Sequence, residues 1–230
     1  MGKPTKEMWI QPRDSKVGTR PIKGYDLIIC CGARTEMNYF SKATQWMIDN
    51  VAKSDAAKIF IVECDAVDPL NMAKNAPERK KEIEISKGIK IDQVWVVFDK
   101  DNFEDAHFNS AIEFVSKYKE EGSETVYFAL WTNKCFELWL LLHFHLAQSV
   151  LDIKDYIPKL TTELGEKYDK KDNAIFNKVM TKGSLSKAIK YAQKLLNEDC
   201  PPANNNPATT VHEFFLFYSR YLGILGDEFN

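Results

Sequence analysis

The sequence predicts an α/β fold, a mainly parallel sheet flanked by helices, with a helical extension at the C-terminal end. Three observations carry this reading. Short apolar runs alternate with helix-period segments from residue 25 to about residue 147. Val94-Trp95-Val96-Val97-Phe98 is an unbroken apolar run, the pattern of a central parallel strand buried on both faces. Gly32, Pro69, Gly88 and Gly122 fall between the segments, where a chain must turn. The 230 residues suffice for one sizeable α/β domain with an appendage, and 44% hydrophobic residues with 12% aromatics argue for a packed core.

Residues 1–24 have no sustained period and read as an irregular lead-in that touches the surface through Trp9 and Ile10. Tyr25 to Cys31 is the first expected strand. It breaks at Gly32, and Thr35-Glu36 opens a helix in which Tyr39, Phe40, Ala43, Trp46, Met47 and Val51 fall near a 3.6-residue period. Lys58 to Cys64 is the second strand, Pro69 a turn, and Leu70 to Ser86 a charged, solvent-facing helix closed by Gly88. The third strand runs into Asp99. Phe108, Ile112 and Val115 then stripe a helix from Phe108 to Tyr118, ended by Gly122. Glu124 to Trp131 is the fourth strand, and Cys135 to Ala147 is a helix too apolar for the surface. Residues 25–147 therefore form the expected α/β domain. Residues 148–230 form lysine-rich helices packed on it, with Asn204-Asn205-Asn206-Pro207 as a breaker before an aromatic helix from Thr209 to Leu222.

The formal charge of -2 carries no global basic signature, so nucleic-acid contact would need a local patch. The Lys-rich N-terminus lacks the apolar core of a signal peptide, and the longest apolar run, Leu138 to Phe144, is too short to span a bilayer. Five cysteines without metal-like spacing suit a reducing compartment. A cytoplasmic protein with no membrane partner is expected.

Two aspartates, Asp99 and Asp101, stand at the carboxyl end of the third strand, the edge at which open α/β sheets bind ligands. Residues two apart on an extended chain point the same way, so both could face one divalent cation. The competing reading is a solvated turn. A pair of acids at such a place costs stability unless a cation offsets it. Lys100 between them should point away, to screen the pair or touch a phosphate. Glu36 opens at the same edge, either as a third oxygen ligand for Mg²⁺ or as a helix N-terminal acid favoured by the macrodipole.

Asn133 and Lys134 follow the fourth strand, and Asn133 could cap the next helix. Glu137 lies on an otherwise apolar helix, where a carboxylate must be paired, capped or functional. His143 and His145 read as structural. Arg34, Lys100 and Lys134, with Lys167, Lys170 and Lys171, could supply a positive patch for phosphate. A solvated helix face explains the last three at least as well.

Four stretches resemble the RloB-like family. Ile28-Ile29-Cys30-Cys31-Gly32-Ala33-Arg34-Thr35-Glu36-Met37-Asn38-Tyr39-Phe40 is similar to its opening motif, and Val94 to Asp101 to its aspartate motif. Asn133-Lys134-Cys135-Phe136-Glu137-Leu138-Trp139-Leu140-Leu141-Leu142-His143-Phe144 resembles its most distinctive signature, and Asn206 to Val211 its closing element. The resemblance runs in consistent order from about residue 25 onward.

It implies a Toprim-like domain, in which a glutamate after the first strand and an Asp-x-Asp after the third bind Mg²⁺ (or Mn²⁺) and handle phosphodiester chemistry. It also implies a nuclease acting on DNA or RNA, tRNA included, in prokaryotic antiphage defence, with a defence-system partner such as an ATPase. Asp99, Asp101 and Glu36 are then the expected metal ligands and Glu137 a further ligand or base. Arg34, Lys100, Asn133 and Lys134 are the expected phosphate contacts.

Two positions depart from the family pattern. Cys31 stands where the family has its first glutamate, and Lys134 replaces a proline. A thiol is a poor ligand for a hard cation. Three readings of Cys31 follow: Glu36 and Glu137 take over the metal role, the domain binds nucleic acid or nucleotide without cutting it, or Cys31 is itself a nucleophile or redox-sensitive thiol.

Overall fold

In a computed structural model, which describes residues 24–31, 34–51, 58–64 and 68–222, the chain alternates strands and helices as far as residue 133. The order is β1 (Gly24–Cys30), α1 (Thr35–Val51), β2 (Lys58–Cys64), α2 (Pro69–Lys87), β3 (Ile91–Asp99), α3 (Asp105–Lys117) and β4 (Val126–Asn133). Then come α4 (Glu137–Leu142), α5 (Ile153–Leu164), α6 (Ile175–Lys182), α7 (Leu185–Leu195), β5 (Ala208–Thr209) and α8 (His212–Leu222). Of the expected lead-in, Gly24 alone is described, as the first residue of β1. Trp9, Ile10 and the Gly32 turn lie outside the described residues.

The sheet order is β2-β1-β3-β4-β5; the first four strands are parallel and β5 is antiparallel to β4. This is the α/β architecture that the alternation predicts, with β1 and β3 at its centre. Alternation along those strands divides the core between the two faces. Ile28, Cys30, Trp95, Val97 and Leu130 pack with α1 and the C-terminal helices. Leu27, Ile29, Val94, Val96 and Phe98 pack under α2 and α3. Residues on both sides of position 147, such as Tyr39, Trp139, Phe176 and Phe215, share the first of these cores.

Helix ends follow local chemistry. Pro69 is not in a turn but at the start of α2, where its missing N–H is no loss, and the Asp68 carboxylate accepts from Leu70 N and Asn71 N at 3.1 Å each. That helix is not solvent-facing all round: Met72, Ala73, Ala76 and Ile83 are buried. Helix α3 stops at Lys117, and Gly122 lies in the turn beyond it.

Two expectations need larger correction. The helix foreseen from Cys135 to Ala147 is buried but only six residues long. The His143 carbonyl accepts from Ser184 N at 2.8 Å, and a Cβ on Gly183 would meet that carbonyl at 2.8 Å. The start of α7 thus sits against the C-terminal end of α4. The last helix begins at His212, not Thr209. Ala208 and Thr209 instead pair with Asn133 and Thr132, and Thr210 Oγ1 accepts from Trp131 N at 2.8 Å. Helix α8 docks as expected: Trp95 Nε1 donates to Tyr218 Oη at 3.0 Å, and the Tyr218 hydroxyl donates to the buried Asp26 carboxylate.

Candidate functional site

The carboxyl ends of β1, β3 and β4 open on a cleft of about 360 Å³. Its lining includes Cys31, Arg34, Thr35, Glu36, Asp99, Asp101, Cys135, Phe136, Glu137, Lys170 and Lys171. Of the four carboxylates singled out in the sequence, all reach this one place. Each arrives from a different local device.

Asp99 ends β3. Its Oδ2 accepts the Phe136 N–H at 2.8 Å, while Oδ1 is buried without a hydrogen-bond partner among the described residues. Burial, reinforced by the charges of Glu36, Glu137 and Asp101, holds its carboxyl well above the usual range. Asp101 comes in by a turn and not by the pleat. The strand has ended, its φ is 44°, and its N–H donates to the Lys134 carbonyl at 2.8 Å. Aspartate is among the few side chains that tolerate this left-handed backbone. Burial also raises Asp101, with Lys170 and Lys134 opposing and Glu137 adding to the rise.

Glu36 occupies the first turn of α1, where the helix dipole favours an acid. Burial nevertheless pushes it up to about 7, against its own backbone hydrogen bond and with the Glu137 charge adding to the rise. Glu137 opens α4 at 2% exposure, and its Oε1 receives both the Lys170 ammonium at 2.9 Å and the Tyr168 hydroxyl at 3.1 Å. A carboxylate on an apolar helix is therefore paired, and paired inside the cleft.

Cys31 is half-buried in the lining, its N–H bonded to the Val97 carbonyl at 2.8 Å. Cys135 is buried in the same lining, its thiol pushed up by burial and by the Glu137 and Asp99 charges. Neither takes part in a disulfide. Arg34 is exposed at the rim.

Three other expected contacts sit elsewhere. Lys100 turns away, pairing with Asp105 at 2.9 Å and donating to the Phe103 carbonyl at 2.8 Å. Asn133 does not cap α4: it is buried, and its Nδ2 donates to the Pro202 and Ala203 carbonyls at 3.0 Å each. Lys134 is half-buried behind Asp101 and contributes its carbonyl. His143, buried between the Trp139 carbonyl and the Tyr39 hydroxyl, is lowered to about 4 by burial and stays neutral. His145 pairs with Glu163 on the surface.

Sequence reasoning missed Tyr168 and underrated Lys170. They belong to no helix but to the α5–α6 connection, whose backbone is tied to α1: Thr35 Oγ1 donates to the Lys170 carbonyl and Asn38 Nδ2 to the Lys171 carbonyl, each at 3.1 Å. The Lys167–Lys171 cluster is thus not a helix face. The run of lysines was the available signal, and it did not say which one would turn inward.

The residues fit a hard divalent cation in donor type: four carboxylates converge, and one buried oxygen, Asp99 Oδ1, lacks a partner. Among the described residues, no group of three or more His, Cys, Asp or Glu forms a ready-made metal cage. Mg²⁺ does not need one, since it binds through one or two carboxylates with water and substrate phosphate completing the shell.

A parallel sheet with an acidic cleft at its carboxyl edge and basic residues at the rim defines an α/β protein with a strand-end ligand site. The chain belongs to the RloB-like family, whose model, described as RloB-like protein, matches residues 27–215. Searches of curated proteins and of solved structures return no match. No described helix is long and apolar enough to cross a membrane.

Proposed function

We propose that this protein is a Toprim-type nuclease that hydrolyses phosphodiester bonds of DNA or RNA with the help of Mg²⁺ or Mn²⁺. The observation that carries the reading is Asp99: a half-buried residue at the end of β3 whose Oδ1 is buried and lacks a hydrogen-bond partner among the described residues, set among three further acids in one cleft. Such a cluster is costly unless a cation is its regular occupant.

Asp99 and Asp101 would hold the cation, with Glu36 or Glu137 beside them. The bound metal would supply charge stabilisation for the phosphoryl oxygens and lower the pKa of a nucleophilic water. Where Glu137 takes the ligand position, Glu36 in the cleft lining would serve as the general base. Arg34 at the rim would meet the negative charge that builds on the phosphate. A role in antiphage defence, and a partner such as an ATPase, follow from the family resemblance and not from the geometry.

A second reading has its own observation. Cys31 lines the cleft, and the resemblance expects a glutamate at that position, so the site could bind nucleic acid or nucleotide without turnover. One experiment separates the two: incubate single- and double-stranded DNA, RNA and tRNA with Mg²⁺ or Mn²⁺ and compare wild type, Asp99→Asn and Cys31→Glu. Cleavage by wild type that Asp99→Asn abolishes supports the nuclease. Cleavage by Cys31→Glu alone marks a binding module descended from an enzyme. No cleavage by either, with unaltered binding by Asp99→Asn, sinks the catalytic reading.

A further inference from the structure

The cleft carries its own cation. Among the described ion pairs, the one that joins a basic residue of the lining to an acid of the lining is Lys170–Glu137, at 2.9 Å. The two ends differ in burial: the Glu137 side chain is 3% exposed, that of Lys170 is 50% exposed. The glutamate is therefore fixed in the wall, while the lysine reaches in from solvent. The Lys170 backbone stays put through the Thr35 bond to its carbonyl, and Glu137 keeps a second donor in the Tyr168 hydroxyl. Lysine's flexible four-carbon stem lets the ammonium leave without moving either backbone.

Charge arithmetic gives the reason for it to leave. In the metal-free cleft burial favours the protonated forms of Asp99 and Glu36, and the one ammonium offsets part of the charge of the remaining acids, Glu137 first. A divalent cation placed among them neutralises more of that charge at shorter range and repels the ammonium. Once released, Lys170 remains tethered at the rim with Lys171 and Arg34, facing whatever polyanion enters.

We propose that Lys170 is a displaceable counter-ion: it holds Glu137 until a divalent cation binds, and then turns to bind the substrate's phosphate. This rests on the nuclease reading above, for the cation and for the phosphate. It assigns the α5–α6 connection a part in coupling the two ligands.

The test uses the full chain and two readouts that do not depend on turnover. Mn²⁺ affinity is measured by electron paramagnetic resonance. Binding of fluorescein-labelled single-stranded DNA and RNA is measured in EDTA and in Ca²⁺. Lys170→Met keeps the apolar stem and removes the charge; Lys170→Arg restores charge, and circular dichroism checks folding. The expected result has opposite signs. Lys170→Met binds Mn²⁺ several-fold tighter. In Ca²⁺ it binds oligonucleotide about fivefold weaker, with the salt slope reduced by about 1. In EDTA it matches wild type, and Lys170→Arg restores binding in Ca²⁺.

If Lys170→Met weakens Mn²⁺ binding, the lysine is a structural strut and the proposal is overturned. The same holds if oligonucleotide binding changes equally in EDTA and Ca²⁺, or in neither. If wild type binds neither Mn²⁺ nor oligonucleotide, the nuclease reading itself fails and this proposal falls with it.

Discussion

Asp99 Oδ2 accepts the N–H of Phe136 at 2.8 Å, one residue before Glu137 begins α4. That bond ties the end of the central strand to the start of the buried helix. It aims the remaining oxygen, Oδ1, into a place where no described protein donor meets it. The same contact that builds the fold therefore leaves one oxygen for a ligand.

Asp99→Asn should stabilise the metal-free protein, because the amide removes a charge that burial and three neighbouring acids oppose. The expected gain is about 1 kcal/mol, a rise in Tm of about 2–4 °C. Mn²⁺ should then confer no further thermal protection. A thermal melt with and without the cation checks both. Equal protection of wild type and variant would place the cation elsewhere.

Glu36 makes stability depend on pH. Its folded value of about 7 lies above its unfolded value of 4.5, so between them the folded protein binds more protons than the unfolded. Stability of the metal-free protein should fall as pH rises through that window, by on the order of 3 kcal/mol at most, shared across the coupled acids. His143 acts in the opposite direction between about 4 and 6.5, where the unfolded chain takes up the proton. The quantity to measure is therefore the difference between wild type and Glu36→Gln in urea unfolding at several pH values. That difference should grow in favour of the variant as pH rises from 4.5 to 7. A difference independent of pH would mean that Glu36 titrates normally.

Cys31→Glu adds a fifth acid to the cleft lining. The variant should be less stable than wild type without metal, by about 1 kcal/mol, and bind Mn²⁺ more tightly, by about tenfold. Calorimetric titration with Mn²⁺ reads the affinity directly. Unchanged affinity would show that position 31 cannot reach the cation.

Gly183→Ala tests the packing that shortens α4. Its Cβ would lie 2.8 Å from the His143 and Val179 carbonyls, both backbone atoms that cannot swing aside. A loss of about 1–3 kcal/mol is expected in urea unfolding, the usual range for overpacking. Wild-type stability in this variant would mean that α7 can draw back from the end of α4.

The sequence by itself determined the alternation of strands and helices, the doubly buried third strand, and the arrival of Asp99, Asp101 and Glu36 at one sheet edge. These are local or topological properties: a 2-residue or 3.6-residue period, and the rule that parallel strands end on one side. Only the tertiary structure decided what surrounds them. It bent Asp101 inward by a left-handed turn and gave Lys100, which the strand alternation already turned outward, its partner in Asp105. It cut α4 short against Gly183 and Ser184 and drew β5 beside β4. It also brought Lys170 to Thr35 across 135 positions of sequence. No local period encodes such contacts, because each depends on where a distant segment comes to rest. For this cleft, the acids could be read from the chain, and the cation that partners Glu137 could be found only in the fold.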